Sequence, residues 1–413
     1  MKRTRFEDRI GRREFLKRGM LAGVGVSLLP IAGAADAAIE AAPHVQRYAT
    51  LGRTGLKISD ISFGSSRLNA GQENLVQHAF DAGINYFDSA ESYTDGESET
   101  VIGNALRGKR DKVYLTSKII AGPDDKRDAM MAALEGSLRR LQTDHIDVYF
   151  NHAVNNLERL KNPEWYEFTE QARKQGKIRF TGMSGHAGNL IECLDYAIDH
   201  GRVDVILCAY NFGQDPRFYQ HLFHNFDFVA LQPDLPRVIA KAKSKGVGVV
   251  TMKTLMGARL NDMRKYESGG ATFSQAAFRW VLSNANVDAL IVSMTSDHMI
   301  DEYLGASGYR ATAAADLPLL NRYASLNGGG YCKHGCNQCE SSCPYGVEIS
   351  EVLRTRMYAH DYRDMRLART EYAMLASNAA ACLTCDAKPC AGACPHGLAI
   401  DAMLAPAHRM LTS

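Results

Sequence analysis

The sequence predicts an α/β protein, built as a (β/α)8 TIM barrel followed by a smaller, mainly helical segment. Between about residues 51 and 306, short β-branched apolar runs alternate with longer amphipathic stretches. Eight of the 10 cysteines fall after that region, where the alternation has ended. The chain has 413 residues, 46% hydrophobic and 23% charged, which is the composition of an ordinary globular protein. The length favours two domains.

Eight apolar runs are candidate strands. Strands that alternate with helices form parallel sheets through right-handed crossovers, and eight such units match the size of a closed barrel. Residues 127–141 show the helical period, with apolar side chains every three or four positions. An open doubly wound sheet would require a Gly-rich phosphate loop after the first strand, and residues 63–67 do not supply one. The predicted strands are 58–64, 84–90, 113–119, 146–152, 178–184, 203–211, 246–254 and 289–294.

Residues 1–37 have the three parts of an export signal: a basic region, an apolar run and a small-residue cleavage site. Arg12 and Arg13, followed by Glu-Phe-Leu-Lys, resemble the twin-arginine motif. This resemblance implies export in the folded state by the twin-arginine machinery, with the cofactor already bound, to the periplasm. The apolar run is diluted by glycine and proline, so we expect no stable membrane anchor.

The net charge of the rest of the chain argues against nucleic-acid binding. The first 37 residues hold eight Lys and Arg against four Asp and Glu, which leaves 40 against 42 in the remainder. Such a balance has no basic surplus for phosphate backbones.

Four polar side chains follow neighbouring strands of the predicted barrel. Asp88, Lys118 and His152 end the second, third and fourth strands, and Tyr93 lies in the loop after the second. The carboxyl ends of barrel strands meet at one mouth, so we expect these residues to lie together. A tyrosine with an ordinary pKa near 10 can exchange protons near neutrality only if a cation stabilises its phenolate, and Lys118 can supply that cation.

These residues, with the words Gly-Ile-Asn-Tyr-Phe-Asp-Ser-Ala and Gly-Glu-Ser-Glu around them, resemble the aldo-keto reductase family. The resemblance implies that Tyr93 is the general acid, that Lys118 and Asp88 tune it, and that His152 orients a substrate carbonyl. It also implies hydride transfer between NADP(H) and a small-molecule carbonyl or alcohol. The implied positions in the cofactor groove are Ser184, Tyr210, Lys253 and Ser296.

The nucleotide site departs from the family pattern. Thr295 and His298 stand where family members carry the basic residues that hold the 2′-phosphate, and Tyr303 stands at the position of an asparagine. Leu207 replaces a glutamine, and Gly185 replaces the asparagine of a Ser-Asn pair. A helix beginning near Ser296 still offers an anion site. We expect NADPH to bind weakly or not at all, so that Leu207 and Tyr303 line a groove that is filled by side chains or holds another ligand.

Two four-cysteine runs occupy the C-terminal segment, and each ends in Cys-Pro. They resemble the bacterial two-cluster ferredoxin pattern, in which the fourth cysteine of each run ligates the other cluster. The resemblance implies two [4Fe–4S] clusters, each with four ligands. One set is Cys332, Cys336, Cys339 and Cys394, and the other is Cys382, Cys385, Cys390 and Cys343.

Disulfides and two four-cysteine zinc sites are the alternatives for these eight cysteines. Between the runs, residues 349–376 predict helix, with an apolar stripe that includes Met357 and Tyr358. Cys193 and Cys208 are expected to be small core residues.

The predicted organisation is a signal at 1–37, a barrel at 48–317 and a two-cluster iron–sulfur domain at 318–413. The leading hypothesis is an exported oxidoreductase whose electrons pass between the barrel site and the clusters, and from there to a periplasmic carrier. The alternatives are an NADP(H)-dependent reductase with structural clusters, and an electron-transfer or partner-binding protein on a barrel scaffold.

Overall fold

The structure is a computed structural model. It describes residues 43–186, 188–214, 232–255, 263–267, 270, 272–326, 332, 336–360 and 365–413. The predicted signal at 1–37 lies outside these residues. In the part of the chain that the structure describes, no helix has the length and apolar character needed to cross a bilayer.

Eight parallel strands close into a barrel, as the alternating sequence predicts. In the closed sheet each strand pairs with its neighbour along the chain, and the last strand pairs with the first. The strands are β3 (Ile61–Gly64), β4 (Tyr86–Asp88), β5 (Tyr114–Ile119), β6 (Ile146–Asn151), β7 (Ile178–Gly185), β8 (Val205–Ala209), β9 (Gly248–Met252) and β10 (Ala289–Ser293).

The first predicted strand, 58–64, is two strands. Its first part belongs to a hairpin outside the barrel, in which β1 (Tyr48–Thr50) pairs antiparallel with β2 (Lys57–Ser59). The break is at Asp60, whose buried carboxylate accepts hydrogen bonds from Ser307 Oγ at 2.6 Å and Gly308 N at 2.8 Å. A buried carboxylate must be satisfied, and these partners hold the chain where the strand would otherwise continue.

The hairpin loop closes the bottom of the barrel. Leu51, Leu56 and Ile58 are buried with the apolar side chains of the barrel interior. Gly52 has a φ of +46° and approaches the backbone so closely that a Cβ would lie 2.3 Å from Gly248 N. Only glycine fits this position, because it lacks a Cβ and tolerates positive φ.

Helices surround the barrel, with the 127–141 prediction confirmed at both ends. Several of them begin with side-chain caps: for example, the Asn162 side chain accepts from Glu164 N at 2.9 Å, and the Ser296 side chain accepts from Met299 N at 3.2 Å. These helices are α1 (Glu73–Asp81), α2 (Glu97–Ala105), α3 (Arg127–Leu141), α4 (Leu157–Lys161), α5 (Pro163–Lys174), α6 (Leu190–Asp199), α7 (Leu235–Ser244), α8 (Phe273–Leu282), α9 (Asp297–Leu304) and α10 (Asp316–Leu326).

The predicted domain boundary at 317/318 falls inside α10. Leu319, Leu320 and Tyr323 of α10 are buried in the barrel's hydrophobic core. At the start of α10, Asp316 forms a buried ion pair with Arg279 of α8, with an N–O distance of 2.6 Å. The barrel therefore extends through this helix.

The C-terminal segment has a hydrophobic core of its own. It contains α11 (Ile349–His360), α12 (Met365–Ala373) and α13 (Ile400–Thr412), so the stretch predicted as helix at 349–376 is two helices. Apolar residues of all three helices pack together with Cys332 and Cys339. The first cysteine run is attached to the start of α11, because the Glu340 carboxylate accepts from the backbone N–H groups of Ile349 and Ser350 at 2.9 Å each.

Candidate functional site

A cavity of about 1000 Å³ opens at the carboxyl ends of the barrel strands. This volume is at the upper end of the roughly 300–1,000 Å³ typical of small-molecule sites. All four residues that were expected to share the mouth line it: Asp88, Tyr93, Lys118 and His152.

Asp88 and Lys118 form a buried ion pair at the ends of β4 and β5. Lys118 Nζ donates to Asp88 Oδ2 at 2.7 Å and to the Ser89 carbonyl at 2.6 Å. Thr116 Oγ1 donates to the other carboxylate oxygen at 2.8 Å. Burial lowers the pKa of Lys118, and the Asp88 carboxylate opposes that effect. The partners therefore keep a positive charge at a position that water does not reach.

Tyr93 lies between this lysine and His152. Lys118 Nζ is 5.0 Å from the centroid of the Tyr93 ring, within cation–π range. The rings of Tyr93 and His152 meet edge to face, with centroids 5.6 Å apart. The structure thus brings together the cation, the phenol and the imidazole, which the sequence placed at the ends of two strands and in the loop after a third.

The turn that carries Tyr93 is strained. Thr94 and Asp95 follow it with φ of 48° and 61°, in the left-handed region that residues with a Cβ seldom occupy. Thr94 Oγ1 holds the turn by donating to the Leu68 carbonyl at 2.7 Å and accepting from Ser98 N at 3.0 Å. Such strain persists only where surrounding contacts impose it, and it is often found at functional sites.

Burial lowers the pKa of His152 well below its ordinary value, and the nearby charges of Lys118, Arg159 and Lys253 add to the effect. Its side chain is 7% exposed, and its Nδ1 atom has no hydrogen-bond partner among the described residues. The imidazole is therefore neutral near pH 7. A neutral imidazole can donate to or accept from a substrate oxygen without changing its own charge.

Arg159 positions the loop after β6, a role that the sequence analysis missed. Its guanidinium donates to the carbonyls of Ala121, Ala153 and His152, each at 2.7 Å, and to Asn151 Oδ1 at 2.9 Å. Burial lowers its pKa to about 10. An arginine in a helix eight residues beyond the end of β6 gave no sequence signal, since most of its hydrogen bonds are to backbone carbonyls.

Two of the four positions expected in the cofactor groove line the cavity, Ser184 and Lys253. Tyr210 is elsewhere: its ring packs against Trp280 with centroids 5.1 Å apart, and its hydroxyl accepts from Asn284 Nδ2 at 3.1 Å. Ser296 is the N-cap of α9, and its side-chain oxygen already accepts from Met299 N. Neither is among the described residues that form the cavity wall.

The cavity reaches the start of α9. Thr295, Met299, Glu302 and Tyr303 line that end, so the groove is open there rather than filled. Leu207 does not line it, because its side chain points into the barrel interior with the other β-strand hydrophobics. The four side chains named at this end include a carboxylate and no lysine or arginine.

The C-terminal segment forms part of the cavity wall, which the sequence analysis did not foresee. Tyr358 of α11 and Arg366 of α12 line it. Arg366 pairs with Asp95, two residues beyond Tyr93. The apolar stripe predicted around Tyr358 is only half correct: its ring is 2% exposed, but its hydroxyl contacts polar groups of the barrel.

Seven of the eight C-terminal cysteines fall into two groups whose thiols affect one another's pKa. Burial raises the pKa of the Cys339 thiol to about 11, with further contributions from Glu340, Cys394 and Cys336. Burial raises the pKa of Cys382 to about 11 as well, with contributions from Cys343, Cys390 and Cys385. The pKa of Cys339 thus responds to Cys394 of the second run, and the pKa of Cys382 responds to Cys343 of the first.

All ten cysteines are described and none forms a disulfide. Cys193 and Cys208 are fully buried in the barrel, where burial raises the pKa of each to about 12. Among the described residues, no three His, Cys, Asp or Glu side chains are arranged so that they could hold a metal ion.

Comparisons with known proteins agree with this geometry. A model of the aldo/keto reductase family matches residues 60–314. The L-galactose dehydrogenase of Arabidopsis thaliana is 26% identical over 67% of this chain and 92% of its own. A "Probable voltage-gated potassium channel subunit beta" of Oryza sativa subsp. japonica is 36% identical over 63% of this chain and 90% of its own.

Among solved structures, an aldo-keto reductase from Bacillus halodurans in its holo form matches with a TM-score of 0.53 and 20% identity. The match covers 68% of this chain and 96% of that one, and at this identity it shows the fold alone. The family match covers more than half of the chain and contains all four residues at the barrel mouth. The chain therefore belongs to the aldo/keto reductase family and is an oxidoreductase.

Proposed function

We propose that this oxidoreductase interconverts a carbonyl compound and its alcohol at the barrel mouth, with Tyr93 as the general acid and base. The observation that carries the proposal is the position of Lys118, held by Asp88 at 2.7 Å and 5.0 Å from the Tyr93 ring. A buried cation beside a phenol favours the phenolate, which makes proton transfer possible near neutral pH. Neutral His152 then hydrogen-bonds the substrate oxygen and directs it toward the tyrosine.

We further propose that the C-terminal segment holds two [4Fe–4S] clusters, which supply one-electron transfer when bound. Cys332, Cys336, Cys339 and Cys394 are the ligands of one, and Cys382, Cys385, Cys390 and Cys343 those of the other. The support is the coupling of Cys394 with the first run and of Cys343 with the second. A four-iron cube offers one iron to each thiolate, so its ligands surround a larger group than a single ion.

Helix α11 connects this segment with the cavity. Glu340, in the first cysteine run, holds its first turn, and Tyr358 in its last turn lines the cavity. At a rise of 1.5 Å per residue, the nine steps from Ile349 to Tyr358 span about 14 Å. One short helix therefore separates the first cysteine run from the substrate cavity, which supports electron exchange between the two.

Export is the third part of the proposal. The signal-like residues 1–37 carry the protein to the periplasm through the twin-arginine machinery, with its clusters already bound. A separate periplasmic carrier is the electron partner that we expect there, and no stable membrane anchor is needed.

An NADP(H)-dependent reaction is the second candidate, and one observation favours it. The cavity continues to α9, which gives room for a ligand much longer than a small carbonyl compound. The side chains at that end do not fit a 2′-phosphate, since Glu302 brings a carboxyl group and Thr295 brings no cation. When bound, NADPH would supply hydride. We expect its affinity to be low.

One experiment separates the two candidates. The full-length protein is purified anaerobically, analysed for iron, acid-labile sulfide and zinc, and titrated calorimetrically with NADPH. About eight irons and eight sulfides, with NADPH binding weaker than micromolar, support the cluster-linked reaction. Stoichiometric zinc without sulfide overturns the clusters, and micromolar NADPH binding with hydride transfer favours the second candidate.

A further inference from the structure

A second group of ionisable side chains faces the same cavity as Tyr93. Tyr358, His186 and Lys253 line the cavity, and Glu371 lies behind them on α12. The barrel supplies the histidine and the lysine, from the ends of β7 and β9. The C-terminal helices supply the tyrosine and the glutamate, so the group exists only when the two parts of the chain are packed together.

The hydroxyl of Tyr358 is at the centre of this group. It lies 2.8 Å from His186 Nδ1, and it accepts from Lys253 Nζ at 3.2 Å and Arg354 Nη1 at 3.3 Å. Two cations therefore donate to the phenol oxygen, and an imidazole nitrogen lies within hydrogen-bonding distance of the hydroxyl. Lys253 also lies over the Tyr358 ring, 4.6 Å from its centroid.

Glu371 extends the group away from the cavity. Its Oε1 atom is 3.9 Å from His186 Nε2 and has no hydrogen-bond partner among the described residues. Its other carboxylate oxygen pairs with Arg354, which also pairs with Glu351 at 2.6 Å. The charge of Glu371 also reaches Arg159.

The residue types around Tyr358 are the same as those around Tyr93. Tyr93 has Lys118 at 5.0 Å from its ring and His152 at 5.6 Å, edge to face. Tyr358 has Lys253 at 4.6 Å and His186 at 5.7 Å, also edge to face. Each tyrosine thus has a lysine, a histidine and a carboxylate, although the carboxylate contacts the lysine in the first group and the histidine in the second.

We propose that Tyr358 is a second hydrogen-bond donor to the substrate in this active site, and that the substrate carries a second oxygen function, as in a hydroxycarbonyl compound. The proposal rests on the proposed function, because it assigns the substrate class of the same cavity. The first oxygen, the reacting carbonyl, belongs to Tyr93. The second, a hydroxyl or carbonyl near it, is bound by Tyr358.

No bond to the second oxygen is made or broken, so its binding needs no redox partner. Tyr358 donates a hydrogen bond to this oxygen, while Lys253 and Arg354 donate to the phenol oxygen. A substrate with the second oxygen gains a hydrogen bond here that an analogue without it does not make, and sites built to bind a substrate hydroxyl reject such an analogue.

Hydroxyacetone and 2-butanone test the substrate class, because they have nearly the same size. Hydroxyacetone carries a hydroxyl where 2-butanone carries a methyl group. Their affinities for the full-length protein are measured by ligand-observed NMR, which works at millimolar dissociation constants. We expect the wild type to prefer hydroxyacetone at least about tenfold, and Tyr358→Phe to reduce the ratio to near one. Tyr149→Phe is the matched control, since Tyr149 is an equally buried tyrosine that is not among the described residues lining the cavity.

A purely structural role for Tyr358 predicts that the ratio of the two affinities is the same in every folded variant. Should Tyr358→Phe lose its fold by circular dichroism, Lys253→Met replaces it, because this change removes a cation of the group and leaves α11 intact. Equal affinity of the wild type for both probes, or an unchanged ratio in both folded variants, overturns the proposal. Failure of the proposed function would show separately, as unimpaired turnover in Tyr93→Phe.

Discussion

Lys118 Nζ lies 2.7 Å from Asp88 Oδ2, and each side chain is 1% exposed. A charge buried to this extent is tolerated because its counter-charge is buried with it. Removing one partner leaves the other uncompensated, which typically costs about 3–5 kcal/mol.

We therefore expect Asp88→Asn to lower the free energy of unfolding by about 3–5 kcal/mol, measured by urea denaturation. Burial already lowers the pKa of Lys118, and loss of the carboxylate lowers it further, so activity should decline at a lower pH than in the wild type. The control is Glu170→Gln, which removes an exposed ion pair with Lys174 and should leave stability nearly unchanged. An equally stable Asp88→Asn variant would show that the pair does not support the barrel.

The depressed pKa of His152 has a defined effect on stability. Between its folded-state pKa and the unfolded value near 6.5, the unfolded chain binds more protons than the folded one. Stability should therefore fall as the pH is lowered from about 7 to 5, by up to about 1.4 kcal/mol per pH unit from this residue. The stability of His152→Gln should fall less steeply with decreasing pH than that of the wild type. The stability of His44→Gln, a change at an exposed site, should follow that of the wild type. Parallel curves of stability against pH for the wild type and His152→Gln would contradict the expected contribution of His152.

Paired cysteine variants test the exchange of ligands between the two runs. In the crossed arrangement Cys339 and Cys394 serve one cluster, so the double variant Cys339→Ser/Cys394→Ser should keep about half of the iron. Cys339→Ser/Cys343→Ser should lose nearly all of it. Without the exchange, the two results are reversed. Cys208→Ala, in the barrel, serves as the control and should retain the full iron content.

Tyr93→Phe should reduce carbonyl or alcohol turnover by about 10²–10⁴, because it removes a proton-transfer group. Iron content should stay at the wild-type level, since the proposed ligands belong to the C-terminal segment. Lys118→Met should act in the same direction by removing the cation beside the phenol. Turnover that is equal in Tyr93→Phe and wild type would mean that the reaction takes place elsewhere.

The sequence by itself determined the barrel and the residues at its mouth. Strand and helix periods repeat eight times, and barrel strands all end at the same face, so Asp88, Tyr93, Lys118 and His152 could be placed together from their positions alone. The same logic could have found His186, because it directly follows Gly185 at the end of β7.

Only the tertiary structure decided how the C-terminal helices meet that mouth. The amphipathic period of α11 predicts a buried face but not the partner that covers it, and the same pattern fits a tyrosine in an apolar core. Contacts between Tyr358 and Lys253 join residues 105 positions apart, and no local preference encodes such a distance. The boundary inside α10 and the break at Asp60 were missed for the same reason, since Arg279, Ser307 and Gly308 satisfy the buried carboxylates from far along the chain.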